Sequence, residues 1–212
     1  MTTRHRSAPA RRAQAAPALD TRSRVLQAAR AMIERRGDAA LSLVELAAET
    51  GLSRQTLYLL FGTRAGLLLA LVDHLDETSA GPARLTALRE GLPAREAFEP
   101  YLRAWLSYLP TIRPVALALS AATTTGDADA RSAWESRMTK LRGGFLMLTK
   151  GLKSAGSLRS GWTPEAAADW IFAQTHVDTW HHLVADCGWK PQAAADRIVE
   201  QLRATLLRAQ AP

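Results

Sequence analysis

Residues 43–62 read LVELAAETGLSRQTLYLLFG, and the fold turns on this stretch. Leu43, Leu46 and Ala47 recur at helical spacing, Gly51 breaks the pattern at a position that tolerates positive φ, and Ser53 can cap the helix that follows. Small Ala47 lets a second helix come close, and Leu57 falls where that helix must face inward. Two short helices joined by a tight turn form a helix-turn-helix. The outward face of the second helix carries Arg54, Gln55, Thr56 and Tyr58, side chains whose polar groups suit the base edges and phosphates of a DNA duplex.

Upstream, Asp20 is placed to cap a first helix whose apolar stripe is Val25, Leu26, Ala29, Met32 and Ile33, ended by Gly37. Ser42 and Glu45 have the spacing of a capping box at the start of the second helix. Downstream, Thr63 opens a fourth helix in which Leu67, Leu68, Leu71, Val72 and Leu75 are too many for one face. That helix is expected to lie sandwiched between a small domain and a larger one.

From Leu41 to Leu67, with Leu-Ser before one helix, Gly-Leu-Ser at the turn, then Thr-Leu-Tyr, Phe61 and a basic residue at Arg64, the chain resembles the DNA-binding domain of the TetR family of transcriptional repressors. The likeness reaches back through Val25 to Gly37, about the first third of the chain. It implies that Ser42 and Leu43 touch the DNA backbone, and that the rest of the chain encloses a small-molecule pocket and pairs through its last two long helices. Ligand binding would then tilt the helix linking the domains. Arg64 replaces the lysine usual at its position, and Gly66 departs from an acidic residue often found nearby, a change expected to loosen the turn.

The remaining 148 residues read as helices without a strand pattern. Gly81-Pro82 and Gly91-Leu92-Pro93 interrupt the pattern, and a helix with the stripe Phe98, Leu102, Trp105 and Leu109 begins near Pro93. Pro110 and Pro114 predict a kink before a short apolar helix through Ala122. The longest clean stripe follows, Trp134, Met138, Leu141, Phe145, Leu148 and Leu152, with Gly143 and Gly144 inside it. Each glycine costs about 1 kcal/mol relative to alanine, which implies a close approach, by a neighbouring helix in preference to a ligand. Two further helices are expected over 164–186 and 191–208. Their apolar area exceeds what one chain covers, so a symmetric dimer closing a four-helix bundle is expected.

Of 212 residues, 47% are hydrophobic and 22% charged, a composition that folds. The net charge of +7 is concentrated at the front: residues 1–64 hold 11 Arg against five acids, while the rest is nearly balanced. Such asymmetry points to a polyanion held by the N-terminal domain. A single cysteine, Cys187, rules out an intrachain disulfide and fits a reducing cytoplasm. The longest apolar run, Leu67–Val72, is far below the ~20 residues of a membrane span, and no signal-peptide core is present. The domain reading is therefore 1–19 as a disordered basic arm, 20–66 as the helix-turn-helix domain, and 67–212 as a helical ligand-binding and dimerisation domain. Arg4, Arg6, Arg11 and Arg12 in the arm read either as a solvated tail or as a minor-groove contact, the tail being favoured.

The DNA-contacting set is thus Ser42, Leu43, Ser53, Arg54, Gln55, Thr56, Tyr58, Thr63 and Arg64, on a palindromic duplex operator. Arg54 can engage guanine and Gln55 adenine, Tyr58 a phosphate, and Thr63 with Arg64 a second phosphate at a helix N-terminus. Trp105, Tyr108, Trp134, Phe145, Gln174, Thr175, His176 and Asp178 supply the aromatic walls and few polar groups of a small-molecule site, suited to a largely apolar effector. His176, His181, His182 and Asp178 raise a metal site, but no two of the histidines are three or four apart, and dimer contacts or pocket polarity are preferred. No cofactor motif, phosphate loop, nucleophile elbow or His-Glu-x-x-His occurs, leaving an enzyme the weakest class. A regulator controlled by a protein partner, without a small-molecule effector, stands second.

Overall fold

The computed structural model describes residues 20–209, so the basic arm lies outside the described residues. Helices α1 (Thr21–Arg36), α2 (Leu43–Thr50) and α3 (Arg54–Phe61) form the N-terminal unit, and α4 (Arg64–Thr78) carries the chain out of it. The caps lie where the sequence puts them. Asp20 accepts from the Ser23 amide at 2.6 Å, and Ser42 and Glu45 close a reciprocal capping box, with Ser42 N donating to the Glu45 carboxylate at 2.9 Å. Gly51 ends α2 in the left-handed region at φ 68°. Val25, Leu26, Ile33, Leu46 and Leu57 are fully buried, and Leu67, Leu68 and Leu71 of α4 share that core.

The larger unit consists of α5 (Ala80–Gly91), α6 (Ala94–Thr124), α7 (Ala128–Ser154), α8 (Pro164–Gln174), α9 (Val177–His181), which runs into a π-helical turn (His182–Asp186), and α10 (Pro191–Leu206). Its core is built on Phe98, Leu102, Trp105, Phe145, Leu148 and Ile171, with Ile198 and Leu202 of α10 against it. Val115, Ala118 and Leu119 of α6 and Ala130 and Ala133 of α7 join the N-terminal core instead. The two units are thus continuous through α4, α6 and α7.

Three expectations are corrected. Pro110 and Pro114 do not divide a helix: α6 runs 31 residues through Pro100, Pro110 and Pro114, because Trp105, Leu109, Ile112, Val115 and Leu119 are all buried along its length and that burial outweighs the lost backbone bonds. The interruption expected at Gly81-Pro82 falls two residues earlier, at extended Ser79, and Pro82 sits in the first turn of α5, where amides have no intrahelical acceptor. The span 164–186 is not one helix. Thr175 turns its hydroxyl back onto the Ile171 carbonyl at 2.8 Å, and extended His176 caps α9 through its ring nitrogen. The C-terminus of α10 is tied to the α7–α8 loop by an antiparallel bridge between Leu158 and Leu207, with Arg159 N donating to the Leu206 carbonyl at 2.8 Å.

Candidate functional site

Helix α3 is anchored by Leu57 and Phe61, both buried, and started by Ser53, whose hydroxyl oxygen accepts from Thr56 N at 3.0 Å. Anchoring on that side turns the opposite one outward. Arg54, Gln55 and Tyr58 are exposed, and Thr56 is half-buried with its hydroxyl 2.9 Å from that of Ser53. Leu59, which the sequence reading passed over, is 82% exposed beside Tyr58. Its position four residues after Gln55, on the outward face, was the signal. A bare leucine there can pack on a thymine methyl.

At the flanks, the Ser42 and Thr63 hydroxyls are engaged as caps of α2 and α4. The Leu43 side chain is buried, so its outward group is the amide in the first turn of α2. Gly66 does not loosen the start of α4: its amide is held by Thr63 at 3.0 Å, and a Cβ at this position would stand 2.1 Å from the Phe61 carbonyl oxygen. Only glycine fits so close a turn.

The Arg64 side chain, expected to hold a phosphate with Thr63, turns inward instead. Its Nε donates to the Leu41 carbonyl at 2.7 Å, and its two terminal nitrogens donate to the Asp127 carboxylate at 2.6 and 2.7 Å. The Asp127 hydrogen bond raises the Arg64 pKa and lowers that of Asp127. The charge of Arg64 is thereby committed to joining the two units, and what α4 presents outward is its first-turn backbone.

In the larger unit, α4, α6, α7 and the start of α9 enclose an apolar cavity whose wall includes Val72, Leu75, Trp105, Trp134, Met138 and His176. Of the eight expected pocket residues, Trp105, Trp134 and His176 lie on this wall. Phe145 and Thr175 are buried in the core beneath it, and Trp105 Nε1 donates to the Thr175 carbonyl at 3.0 Å. Tyr108 stands behind the wall, its hydroxyl donating to Asp76 at 3.0 Å, and burial pushes its pKa up to about 12. Gln174 and Asp178 line a separate surface groove with Trp189 and Gln201. His176 packs edge-on against Trp134 and Phe172, and burial lowers its pKa despite neighbouring Asp178.

Two charged wall residues, Asp76 and Arg137, escaped the sequence reading. Arg137 directly precedes Met138 in the α7 stripe, a position that periodicity assigns to the edge of the apolar face. The cavity holds only about 30 Å³ of free space, although the unfilled volume among its lining atoms amounts to about 460 Å³, part of it open to solvent. The smaller value measures what the present packing admits, and pockets that hold drug-sized ligands measure roughly 300–1,000 Å³. The walls must move apart for such a molecule to enter.

Among the described residues, no group of three or more His, Cys, Asp or Glu side chains is gathered as metal ligands. His182 is paired with Asp186 at 2.5 Å. No single described helix is long and apolar enough to cross a membrane.

Comparison with known proteins follows this geometry. Residues 25–71 match the model of the bacterial regulatory proteins of the tetR family. No curated protein matches the chain in sequence. Among solved structures, the chain is similar to NalD, the secondary repressor of the MexAB-OprM multidrug efflux pump in Pseudomonas aeruginosa. The TM-score is 0.69 at 22% identity, over 90% of this chain and 98% of that one. It is similar to a transcriptional regulator from Saccharomonospora viridis in complex with choline (TM-score 0.67, 18% identity, 90% and 99% coverage). It is also similar to the ketosteroid transcriptional regulator of Mycobacterium tuberculosis (TM-score 0.61, 15% identity, 92% and 99% coverage). At these identities the likeness is one of fold. Residues 25–71 thus belong with the tetR family of bacterial regulatory proteins, and the described chain as a whole has the TetR-like all-helical fold.

Proposed function

We propose that this protein is a cytoplasmic, homodimeric repressor that binds a palindromic operator through α3 and is released by a small, largely apolar ligand entering the α4–α6–α7 cavity. The observation that carries the reading is the course of α4. Its first turn abuts α3, and its later residues Val72, Leu75 and Asp76 form part of the cavity wall. A molecule that parts those walls shifts the helix on which the reading head rests, and operator half-sites about 34–36 Å apart tolerate little displacement. Ser53, Arg54, Gln55, Thr56 and Tyr58 contact the duplex, with the first turns of α2 and α4 on flanking phosphates. The solved relatives described with choline and with a multidrug efflux pump accord with a small-molecule effector here.

Dimerisation through the last two long helices, α8 and α10, would bring two reading heads to one operator. Trp170 of α8 and Trp189 before α10 are 37% and 41% exposed, a cost that a partner surface removes. Function by binding, without turnover, needs no cofactor. The test is operator affinity by fluorescence anisotropy at fixed salt. Arg54→Ala with Gln55→Ala should weaken binding at least a hundredfold, and unchanged affinity would sink the assignment of α3.

The small free volume of the cavity favours a second reading, a regulator without a small-molecule effector, controlled by a protein partner. Ala116, on the cavity wall, separates the two. Ala116→Phe should leave operator binding intact and abolish release by effectors found in a small-molecule screen. A screen in which no compound releases the wild-type protein supports the second reading.

A further inference from the structure

Among the described residues, the only charged side chains on the cavity wall are Asp76 and Arg137, and they are unequally satisfied. Asp76 receives the Tyr108 hydroxyl at 3.0 Å and faces Arg137 at 3.3 Å. Arg137, only 12% exposed at its side chain, makes that one loose ion pair and lies over the Trp105 ring at 5.8 Å. A guanidinium has five N–H donors, and no described residue accepts a well-formed hydrogen bond from this one.

Beside the cavity, a second space of about 170 Å³ shares Asp76, Trp105 and Arg137 with it and adds Arg89 and Lys140. Three cations and one carboxylate therefore border this second space. Lys140 is already paired with Asp73 at 2.6 Å. Arg89 is not comparably served: its Nε is buried without a hydrogen-bond partner among the described residues, and its one ion pair is to the exposed neighbour Glu90 at 3.4 Å. Arg89 and Arg137, half-buried and short of protein acceptors, border the same space, and a guanidinium so placed gains hydrogen bonds when an anion enters.

We propose that these adjoining spaces bind an amphipathic monoanion, a carboxylate with an apolar tail, its carboxylate held by Arg137 and Arg89 and its tail parting the cavity walls beneath Trp105 and Trp134. The inference rests on the ligand-responsive reading above. A cationic head group on Asp76 would sit against two arginines, whereas a carboxylate completes both. It also competes with Asp76 for Arg137, and Asp76 belongs to α4, so anion binding weakens a tie between α4 and α7 beside the cavity.

The test is calorimetric titration of the full chain with octanoate, octan-1-ol and octyltrimethylammonium. Octanoate should bind at least tenfold tighter than either counterpart. Arg137→Gln should erase that preference while changing octanol affinity less than threefold, and Arg89→Gln should weaken octanoate at least fivefold, a second variant should the first fail to fold. Octanol or octyltrimethylammonium binding as tightly as octanoate, or octanoate binding unaffected in folded variants, overturns the anion assignment and leaves the cavity reading standing. Binding of none of the three overturns the anion assignment, and the release screen described above then decides the cavity reading.

Discussion

Arg64 and Asp127 are joined by two parallel hydrogen bonds of 2.6 and 2.7 Å between the first turn of α4 and the N-cap of α7. The same guanidinium donates to the carbonyls of Ala39 and Leu41 in the loop before α2. Asp127 also receives the Ala130 amide at 3.1 Å. One side chain thus holds the helix-turn-helix unit, the linking helix and the larger unit in a fixed relation, at the end of α4 opposite its cavity-lining residues.

Removing that side chain should be costly. Arg64→Ala leaves the two carbonyls and the Asp127 carboxylate short of a donor, and should destabilise the protein by about 2–3 kcal/mol in urea unfolding. Arg64→Lys keeps the charge but not the planar fork, and should recover less than half of the loss. A loss below about 0.5 kcal/mol in the alanine variant contradicts the latch.

The pH dependence of the same pair has a definite sign. The Arg64 hydrogen bond holds the Asp127 carboxyl below its usual range. A group with a lowered folded pKa contributes stability that is fully present above its unfolded value, about 4, and is lost as pH falls through the lower folded value. The stability gap between wild type and Asp127→Asn should therefore be widest near pH 7 and narrow at pH 3. Equal gaps at both, measured by urea midpoints, would remove the ionic part of the account.

Adjacent glycines in α7 should respond oppositely to alanine. A Cβ at Gly144 would come 2.7 Å from the Tyr101 hydroxyl, whereas at Gly143 nothing lies within 4 Å. Gly144→Ala should cost about 1–3 kcal/mol by overpacking, and Gly143→Ala should raise stability by up to about 1 kcal/mol through helix propensity. Thermal unfolding of the two variants decides it, and shifts of the same sign would show that the packing around Tyr101 is wrong.

Ser53→Ala removes the oxygen that accepts from Thr56 N, a loss worth about 1 kcal/mol of stability. Because that cap fixes where α3 begins, operator affinity should fall with it. Ser53→Asp should restore stability but not affinity, the added charge facing phosphates. Full affinity in the aspartate variant would place the start of α3 away from the DNA backbone.

The N-terminal unit was legible because its signals are local. Ser42 reaches Glu45 and Ser53 reaches Thr56, three residues away in each case, and Gly51 stands in the turn it makes. What escaped the sequence depends on distant partners. Arg64 turns inward because Asp127, 63 residues away, receives it, and the end of α8 is met by Trp105, 70 residues from Thr175. Helix α5 has no fully buried residue, so it carried no stripe to read. Pro110 and Pro114 of α6 read as a break because their local cost, about 3 kcal/mol each, is visible in the sequence, whereas the burial that offsets it is not. In the candidate pocket, Trp105 and Trp134 were identifiable as aromatics on stripes, while Asp76 and Arg137 were not, because only packing reveals which charges face inward.

The measurement that bears most directly on the central claim is selection of duplexes from a random pool by the purified protein at stated salt, followed by sequencing. The account predicts an inverted repeat with half-sites one helical turn apart, lost from the selection by the Arg54→Ala and Gln55→Ala double variant. Recovery of no preferred sequence, or of the same sequence by the double variant, would contradict it.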